Sequence, residues 1–314
     1  MEYNHAAIMV TENCNAKCKM CCDSRGRVEG ITLSMDDIDL ILDNIKNYKY
    51  ISSIGLTGGE PMLRRDICEY IMNYNFGRII RFTIKTNGFW GRNVEHARNF
   101  IEKYRDKISL ISFSYDEFHA EYINLDYIKN IIDICIDNSI KTEIVGCFLQ
   151  NGLQPGDIIN KLGKYAFLTD YCYQPVIETG AARTIDGAQY IKILDTTKQC
   201  IWCLVTAAKE YSILINTKLE VYPCCSQCVE NTVLKVGSLK NKSLSEIVMD
   251  IKTNRILYTI FTEGFTPFLR YLEQNNISYP KELSSHCEMC EYLFKTDWFM
   301  KELKNGRFYS YKKI

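Results

Sequence analysis

Short apolar runs rich in β-branched residues alternate with amphipathic stretches over the first half of the chain. Ile38, Ile41 and Ile45 recur three and four residues apart, so they lie on one face of a predicted helix. Ser34 is suited to cap that helix, because its hydroxyl can accept a hydrogen bond from the first turn. The predicted strands are 6–11, 51–56, 79–85, 110–114, 141–149 and 171–178, and the predicted helices are 34–47, 65–74, 94–104 and 123–138.

Strands that alternate with helices predict a parallel sheet, and right-handed crossovers curl such a sheet into a barrel. Six units are too few for the closed eight-fold barrel, so an α/β fold with an incomplete (β/α)6 TIM-like barrel is expected over residues 1–190. Beyond residue 190 the pattern changes to a hairpin, 212–216 with 219–222, and to helices at 243–253 and 266–274. A small cysteine-rich α+β domain is therefore predicted for 191–314.

The composition and charge of the chain indicate which partners and which cellular location to expect. The 314 residues are 46% hydrophobic and 24% charged, with 38 Lys+Arg against 38 Asp+Glu, so charge gives no argument for a nucleic-acid or membrane partner. The N-terminus lacks a basic segment followed by an apolar run, and no stretch has the length of a membrane span, which predicts a cytoplasmic protein.

Fifteen cysteines in a reducing compartment point to metal ligands or reactive thiols rather than to disulfides. Four lie at 14–22 and seven lie beyond residue 199. The four scattered ones are interpreted as buried small apolar residues: Cys68, Cys135, Cys147 and Cys172.

The run Cys14-Asn-Ala-Lys-Cys18-Lys-Met-Cys21 places three thiols at spacings of four and three. Three such thiolates can bind three irons of an iron–sulfur cube and leave the fourth iron without a protein ligand. An open iron can bind a substrate, whereas a closed cluster needs a fourth ligand. A zinc site also uses closely spaced cysteines and remains the alternative at this point.

Gly58-Gly59-Glu60-Pro61 follows the second predicted strand. Glycines let a ligand approach the backbone closely, and the carboxylate of Glu60 can accept a hydrogen bond from an ammonium group. Polar residues also follow the third and fourth strands, at Thr86-Asn87 and at Ser114-Tyr-Asp116.

The three-cysteine spacing followed by Gly-Gly-Glu resembles the radical S-adenosylmethionine (SAM) superfamily over residues 6–185, with Met20 in place of the usual aromatic. The resemblance implies that Cys14, Cys18 and Cys21 hold a [4Fe-4S] cluster and that Gly58, Gly59 and Glu60 hold the amino group of SAM. It also implies that the ribose, carboxylate and adenine of SAM are contacted by Thr86, Asn87, Ser114, Asp116 and Gly146. The run Gly180-Ala-Ala-Arg183 is similar to an element that closes the barrel in many of these enzymes.

The C-terminal part resembles the twitch or SPASM extensions of the same superfamily, which carry auxiliary clusters. Val221-Tyr-Pro-Cys224 matches their hairpin, but Leu219 stands where they have glycine, so we expect its φ to stay negative in a different type of turn. The resemblance implies a second, auxiliary [4Fe-4S] cluster with candidate ligands Cys200, Cys203, Cys224, Cys287 and Cys290. A zinc ribbon from two of these pairs is the alternative.

Cys225 and Cys228 are left over from that ligand set. Adjacent residues of a hairpin point to opposite faces, so Cys225 faces away from the presumed ligand Cys224 and is the candidate hydrogen-atom donor. Enzymes of the resembled class mostly modify ribosomally made peptides, and a thiol donor favours conversion of L- to D-residues.

Three alternative functions stay open beside epimerisation. They are peptide crosslinking through thioether or carbon–carbon bonds, activation of a glycyl-radical enzyme, and a non-catalytic metal-binding protein. The expected partners are a precursor peptide and a flavodoxin- or ferredoxin-type electron donor.

Overall fold

The computed structural model describes residues 2–22, 30–197 and 211–295. Its main feature is a nine-stranded sheet, and a separate two-stranded sheet pairs Leu194–Asp195 with Glu282–Leu283. The strands are β1 His5–Thr11, β2 Ser53–Gly58, β3 Arg81–Thr86, β4 Ile108–Ser114, β5 Lys141–Phe148, β6 Asp170–Pro175, β7 Leu194–Asp195, β8 Ser212–Ile215, β9 Glu220–Tyr222, β10 Gly237–Ser238 and β11 Glu282–Leu283.

The helices of the first half cross between successive parallel strands. They are α1 Met35–Asn47, α2 Arg65–Asn73, α3 Val94–Tyr104, the short α4 Glu117–Ala120, α5 Leu125–Asp137 and α6 Pro155–Leu162. The predicted cap of α1 is confirmed, because the Ser34 hydroxyl accepts from the Asp37 backbone and the Asp37 carboxylate accepts from the Ser34 backbone. The buried face of α1 holds Ile38, Ile41 and Ile45 as predicted.

Strands β1 to β6 lie side by side in chain order, and each neighbouring pair is parallel. The carboxyl ends of all six strands therefore share one edge of the sheet, and the loops that follow them meet there. This parallel sheet with helical crossovers confirms the predicted α/β fold.

The C-terminal hairpin joins this sheet rather than standing apart from it. Strand β8 pairs with β1 in parallel, with His5 opposite Ser212, and β9 then returns antiparallel beside β8. Four helices follow: α7 Leu244–Thr253, α8 Arg255–Glu263, α9 Thr266–Gln274 and α10 His286–Lys295. The hairpin and the helices 243–253 and 266–274 were expected, whereas α8 was not. The division at residue 190 stays a prediction.

Leu219 overturns one expectation about the hairpin turn. Its φ is +63°, so this leucine occupies the left-handed conformation that glycine favours, and the predicted negative φ is wrong. The side chain is only 1% exposed and packs in the main core, so burial offsets a strained backbone.

The scattered cysteines divide into two kinds. Cys68 and Cys135 are buried as predicted, and Cys147 is partly buried. Cys172 is exposed on β6, so its assignment to the core is wrong, because alternate side chains of that edge strand face outward. Across the described ranges, no helix is both long and apolar enough to cross a membrane.

Candidate functional site

The loop after β1 gathers three thiols at the carboxyl edge of the sheet. Cys14, Cys18 and Cys21 lie in one apolar cluster, in which Cys18 is buried and the other two are partly buried. The Cys21 backbone donates to the Cys18 carbonyl at 3.1 Å and closes the turn between them. Their neighbours in the cluster come from the loops after β4, β5 and β6, namely Phe118, Leu149, Val176 and Ala182.

This loop fits a group that takes three thiolates. Burial raises the pKa of the Cys14 thiol to about 11, although a hydrogen bond from the Ala16 backbone lowers it. A bound metal would reverse that shift, because a cation beside a thiol deprotonates it. Among the described residues, no three His, Cys, Asp or Glu side chains converge as ligands of a single ion do. The ligands of an iron–sulfur cluster bind different irons and stand farther apart.

The Gly-Gly-Glu element is hydrogen-bonded to the start of the cysteine loop. The Gly59 backbone donates to the Thr11 carbonyl at 2.7 Å, and the Glu60 backbone donates to the Asn13 carbonyl at 2.8 Å. A Cβ atom on Gly58 or Gly59 would overlap the backbone of residues 11–13. The two glycines are therefore required by the close approach of the cysteine loop, whatever ligand also lies there.

Both oxygens of the Glu60 carboxylate accept hydrogen bonds from groups inside the protein. Its Oε1 accepts from the Met62 backbone at 3.0 Å and from the Thr86 hydroxyl at 2.8 Å, and its Oε2 accepts from the Asn87 backbone at 2.7 Å. Burial raises the pKa of Glu60 to about 7, against the hydrogen bonds that lower it. Three residues predicted separately to bind SAM are thus one buried network.

Asn87 connects this network to the cysteine loop. Its amide Nδ2 donates to the side-chain Oδ1 of Asn15 at 2.8 Å, and Asn15 lies directly after Cys14. Sequence reasoning did not single out Asn15. The sequence signal that could have identified Asn15 is its position between Cys14 and Cys18.

Asp116 is fully buried, and its carboxylate holds the start of α4. Its Oδ1 accepts from the Phe118 and His119 backbones at 3.0 Å each, and its Oδ2 accepts from the Cys147 backbone at 3.0 Å. The role predicted for Asp116 toward SAM stays a prediction, since all of these contacts are with protein groups.

His119 belongs to α4 and lies between Asp116 and the cysteine loop. Its Nδ1 is 2.8 Å from Asp116 Oδ1, and its ring also hydrogen-bonds to the Cys18 thiol. Burial lowers the pKa of His119, but the Asp116 charge and these hydrogen bonds outweigh it and raise the pKa to about 10. This donor to the Cys18 thiol is a site feature that the sequence did not reveal.

Ser114 and Gly146 occupy the neighbouring strand ends. Ser114 is partly buried at the end of β4 and pairs with Val145 of β5. A Cβ atom on Gly146 would lie 3.0 Å from the Tyr115 carbonyl oxygen, so the backbone of the two strands is closely packed here. Both residues lie at the predicted edge, and their contacts with SAM stay predictions.

The predicted auxiliary ligands are only partly described. Cys200 and Cys203 lie outside the described residues. Cys224 is partly buried against the main core and the adjacent Cys225 is exposed. Both residues follow β9 rather than lie in it, so the opposite facing of their side chains stays a prediction. Cys287 and Cys290 are partly buried on α10.

Three further thiols lie near Cys287, those of Cys22, Cys225 and Cys228. The thiols of Cys22 and Cys228 are hydrogen-bonded to each other, and both lie close enough to Cys287 for electrostatic interaction. The hydrogen bond to Cys22, with burial, raises the pKa of Cys228 above its usual range. Neither Cys22 nor Cys228 was predicted as a ligand, although Cys22 directly follows Cys21.

Comparison with known proteins agrees with this geometry. Residues 8–160 match the model of the radical SAM superfamily. The chain is 26% identical over 302 residues to the putative peptide biosynthesis protein YydG of Bacillus subtilis (strain 168), covering 92% of each chain. It is 27% identical over 210 residues to GTP 3′,8-cyclase of Clostridium perfringens (strain SM101 / Type A), covering 63% of each.

Solved structures share the fold at low sequence identity. The structure of anSMEcpe with bound AdoMet and the Cp18Cys peptide superposes with a TM-score of 0.56 at 13% identity, covering 96% of this chain and 98% of that one. BtrN in complex with AdoMet and 2-DOIA gives a TM-score of 0.53 at 14% identity, covering 86% and 91%. Residues 8–160 of this chain constitute a radical SAM domain.

Proposed function

We propose that this chain reductively cleaves SAM and uses the resulting 5′-deoxyadenosyl radical to take a hydrogen atom from a precursor peptide. Similarity to the putative peptide biosynthesis protein YydG over 92% of both chains supports a peptide as the substrate. The shared fold of anSMEcpe, solved with bound AdoMet and the Cp18Cys peptide, is compatible with a peptide substrate.

The cofactor-binding roles follow the predicted residues. Cys14, Cys18 and Cys21 would hold a [4Fe-4S] cluster, which when bound supplies the electron that cleaves SAM. The backbone of Gly58, Gly59 and Glu60 would meet the SAM amino group, since the Glu60 carboxylate is used by Thr86 and Asn87. The remaining contacts to ribose, carboxylate and adenine would come from Thr86, Asn87, Ser114, Asp116 and Gly146.

The reaction we propose is epimerisation of L- to D-residues, with Cys225 as the hydrogen donor. One observation carries it: Cys225 is exposed while its neighbour Cys224 packs against the core, so the Cys225 thiol is free to meet a substrate. After the α-hydrogen is removed, the Cys225 S–H bond breaks and a C–H bond forms on the opposite face of the α-carbon. One electron and one proton then return the sulfur radical to the thiol.

That return electron gives a reason for a second [4Fe-4S] cluster and for a flavodoxin- or ferredoxin-type donor. Cys224, Cys287 and Cys290 are the predicted ligands within the described residues, and Cys200 and Cys203 complete the predicted set. SAM cleavage consumes one electron, from that donor or from dithionite in the assay, but it does not require the second cluster, so the two steps can be tested separately.

The test starts with the anaerobically reconstituted chain, SAM and dithionite, which should release 5′-deoxyadenosine. The short peptide encoded nearest to the gene is then added in deuterium oxide. Epimerisation predicts uptake of one deuterium per converted residue and a D-residue after acid hydrolysis. Loss of two hydrogens without deuterium uptake would instead establish crosslinking.

Cys225→Ala should still release 5′-deoxyadenosine but give no D-residue. Cys172→Ala is the matched control, because Cys172 is also exposed but lies on β6. If Cys225→Ala forms D-residues at the rate of Cys172→Ala, Cys225 is not the donor.

A further inference from the structure

Three thiols from distant parts of the chain meet beside the cysteine loop. Cys22 follows Cys21 directly, Cys228 lies in the 3-10 helix Gln227–Asn231, and Cys287 begins the first turn of α10. The Cys22 and Cys228 thiols are hydrogen-bonded, and Cys287 lies within electrostatic range of both.

Two serine hydroxyls hydrogen-bond to these thiols, and they act against burial, which raises the pKa of Cys228 and of Cys287. The Ser226 hydroxyl hydrogen-bonds to the thiols of both Cys228 and Cys287, and the Ser285 hydroxyl hydrogen-bonds to Cys287 as well. Hydroxyl donors stabilise a thiolate more than a thiol. Cys228 is only 3% exposed, and a buried thiolate requires a cation or a metal nearby.

The packing holds these segments in place. The 3-10 helix Gln227–Asn231 packs directly on α10. The backbone of Cys21 is fixed from the barrel side, where its carbonyl accepts from the Ala181 backbone at 3.0 Å. The meeting of Cys22 with the C-terminal thiols is therefore set by the fold on both sides.

We propose that Cys22, Cys228 and Cys287 are thiolate ligands of the second iron–sulfur cluster. The proposal rests on the auxiliary cluster in the proposed function, and it names three of the four thiolates that a [4Fe-4S] cluster takes, so the fourth would come from the remaining predicted ligands. Cys225 also lies within electrostatic range of Cys287, but it is exposed and is not one of the proposed ligands.

The consequence is a direct link between the two cluster sites. Consecutive Cα atoms lie about 3.8 Å apart, so Cys21 and Cys22 would place ligands of two clusters on one peptide unit.

The test counts iron and sulfide in a chain that lacks the first site. The triple variant Cys14→Ala, Cys18→Ala, Cys21→Ala, reconstituted anaerobically, should retain about four irons per chain if a second cluster forms. Adding Cys22→Ala or Cys228→Ala should reduce this iron by at least several-fold. Adding Cys172→Ala should leave it unchanged, because Cys172 is exposed on β6.

A serine variant separates a ligand from a residue needed only for packing. With far-UV circular dichroism unchanged, Cys22→Ser in the triple background should lose the iron or keep it with a shifted electron paramagnetic resonance signal. Full iron with an unshifted signal overturns the proposal. So does a Cys22–Cys228 disulfide, detected by mass after alkylation, in the anaerobically reconstituted triple variant.

These readouts do not depend on the peptide reaction. If iron follows Cys22 and Cys228 but no D-residue forms, the epimerisation proposal fails and the ligand proposal stands. If D-residues form while iron ignores Cys22, the reverse holds.

Discussion

His119 Nδ1 lies 2.8 Å from Asp116 Oδ1, and the same imidazole hydrogen-bonds to the thiol of Cys18. The carboxylate is fully buried and the histidine side chain is 12% exposed, so the two charges are paired where water does not reach them. This pair connects the loop after β4 to the cysteine loop after β1.

We predict that His119→Ala destabilises the metal-free chain by about 3 kcal/mol, because it leaves a buried carboxylate without its cation. Urea unfolding at neutral pH measures the change. His119→Gln is the control, since its amide can still donate to Asp116, and it should be less destabilising. A loss below about 1 kcal/mol for His119→Ala would mean that the backbone donors alone satisfy Asp116.

The raised pKa of Glu60 predicts that the free energy of unfolding depends on pH. Burial raises its pKa from 4.5 to about 7, so the folded chain holds this proton more tightly than the unfolded chain. Stability from this group is therefore greatest below pH 4.5 and declines as pH rises toward 7, by on the order of 3 kcal/mol. The measurement is the unfolding free energy of metal-free wild type and Glu60→Gln between pH 5 and pH 8.

The comparison with Glu60→Gln isolates this carboxyl from every other group of the chain, since the two proteins differ only at residue 60. The difference in stability between the two proteins should change steadily up to pH 7 and then become constant. A difference that is the same at every pH would show that Glu60 is ionised throughout.

The sequence predicted the elements of the barrel because their signals are local. The cap of α1 needs only Ser34 and Asp37, and the six parallel strands follow from apolar runs separated by helical periods. The cysteine loop and the Gly-Gly-Glu element were found for the same reason, since each is a short motif at a strand end.

What the sequence did not reveal depends on contacts between distant segments. The pairing of β8 with β1 joins residues about two hundred positions apart, and nothing in either strand specifies the other. Cys22 and Cys228 meet in the same way. Glu60 was predicted to face a ligand, but its carboxylate is held by Thr86 and Asn87, which a motif read along one segment could not show.

We predict that adding a side chain at Gly180 strongly disturbs the cysteine loop. The φ of Gly180 is +57°, and a Cβ atom there would overlap the Cys22 carbonyl oxygen and lie 2.7 Å from that of Cys21. We expect Gly180→Ala to destabilise the chain by at least about 2 kcal/mol, from backbone strain and overpacking together. Thermal and urea unfolding measure the loss, and iron content after reconstitution should decrease as well.

Gly187→Ala is the matched control for that substitution. Gly187 has a φ of +63° but no atom within 4 Å of an added Cβ, so it carries the strain without the overlap. It should cost about 1 kcal/mol and leave iron content unchanged. Equal losses for the two variants would indicate that the contact with the cysteine loop is unimportant.

At Leu219 in the hairpin turn, we predict that substitution by glycine destabilises the chain less than substitution by alanine, the reverse of the usual order. Glycine normally destabilises more than alanine because the unfolded chain gains freedom. At φ +63° the left-handed conformation costs any L-residue about 1 kcal/mol, and glycine removes that cost. Both variants lose the packing of a side chain that is 1% exposed, about 2–5 kcal/mol, so Leu219→Gly should remain more stable than Leu219→Ala. Urea unfolding of the two variants decides it, and a less stable Leu219→Gly would show that the turn relaxes to negative φ once the leucine is gone.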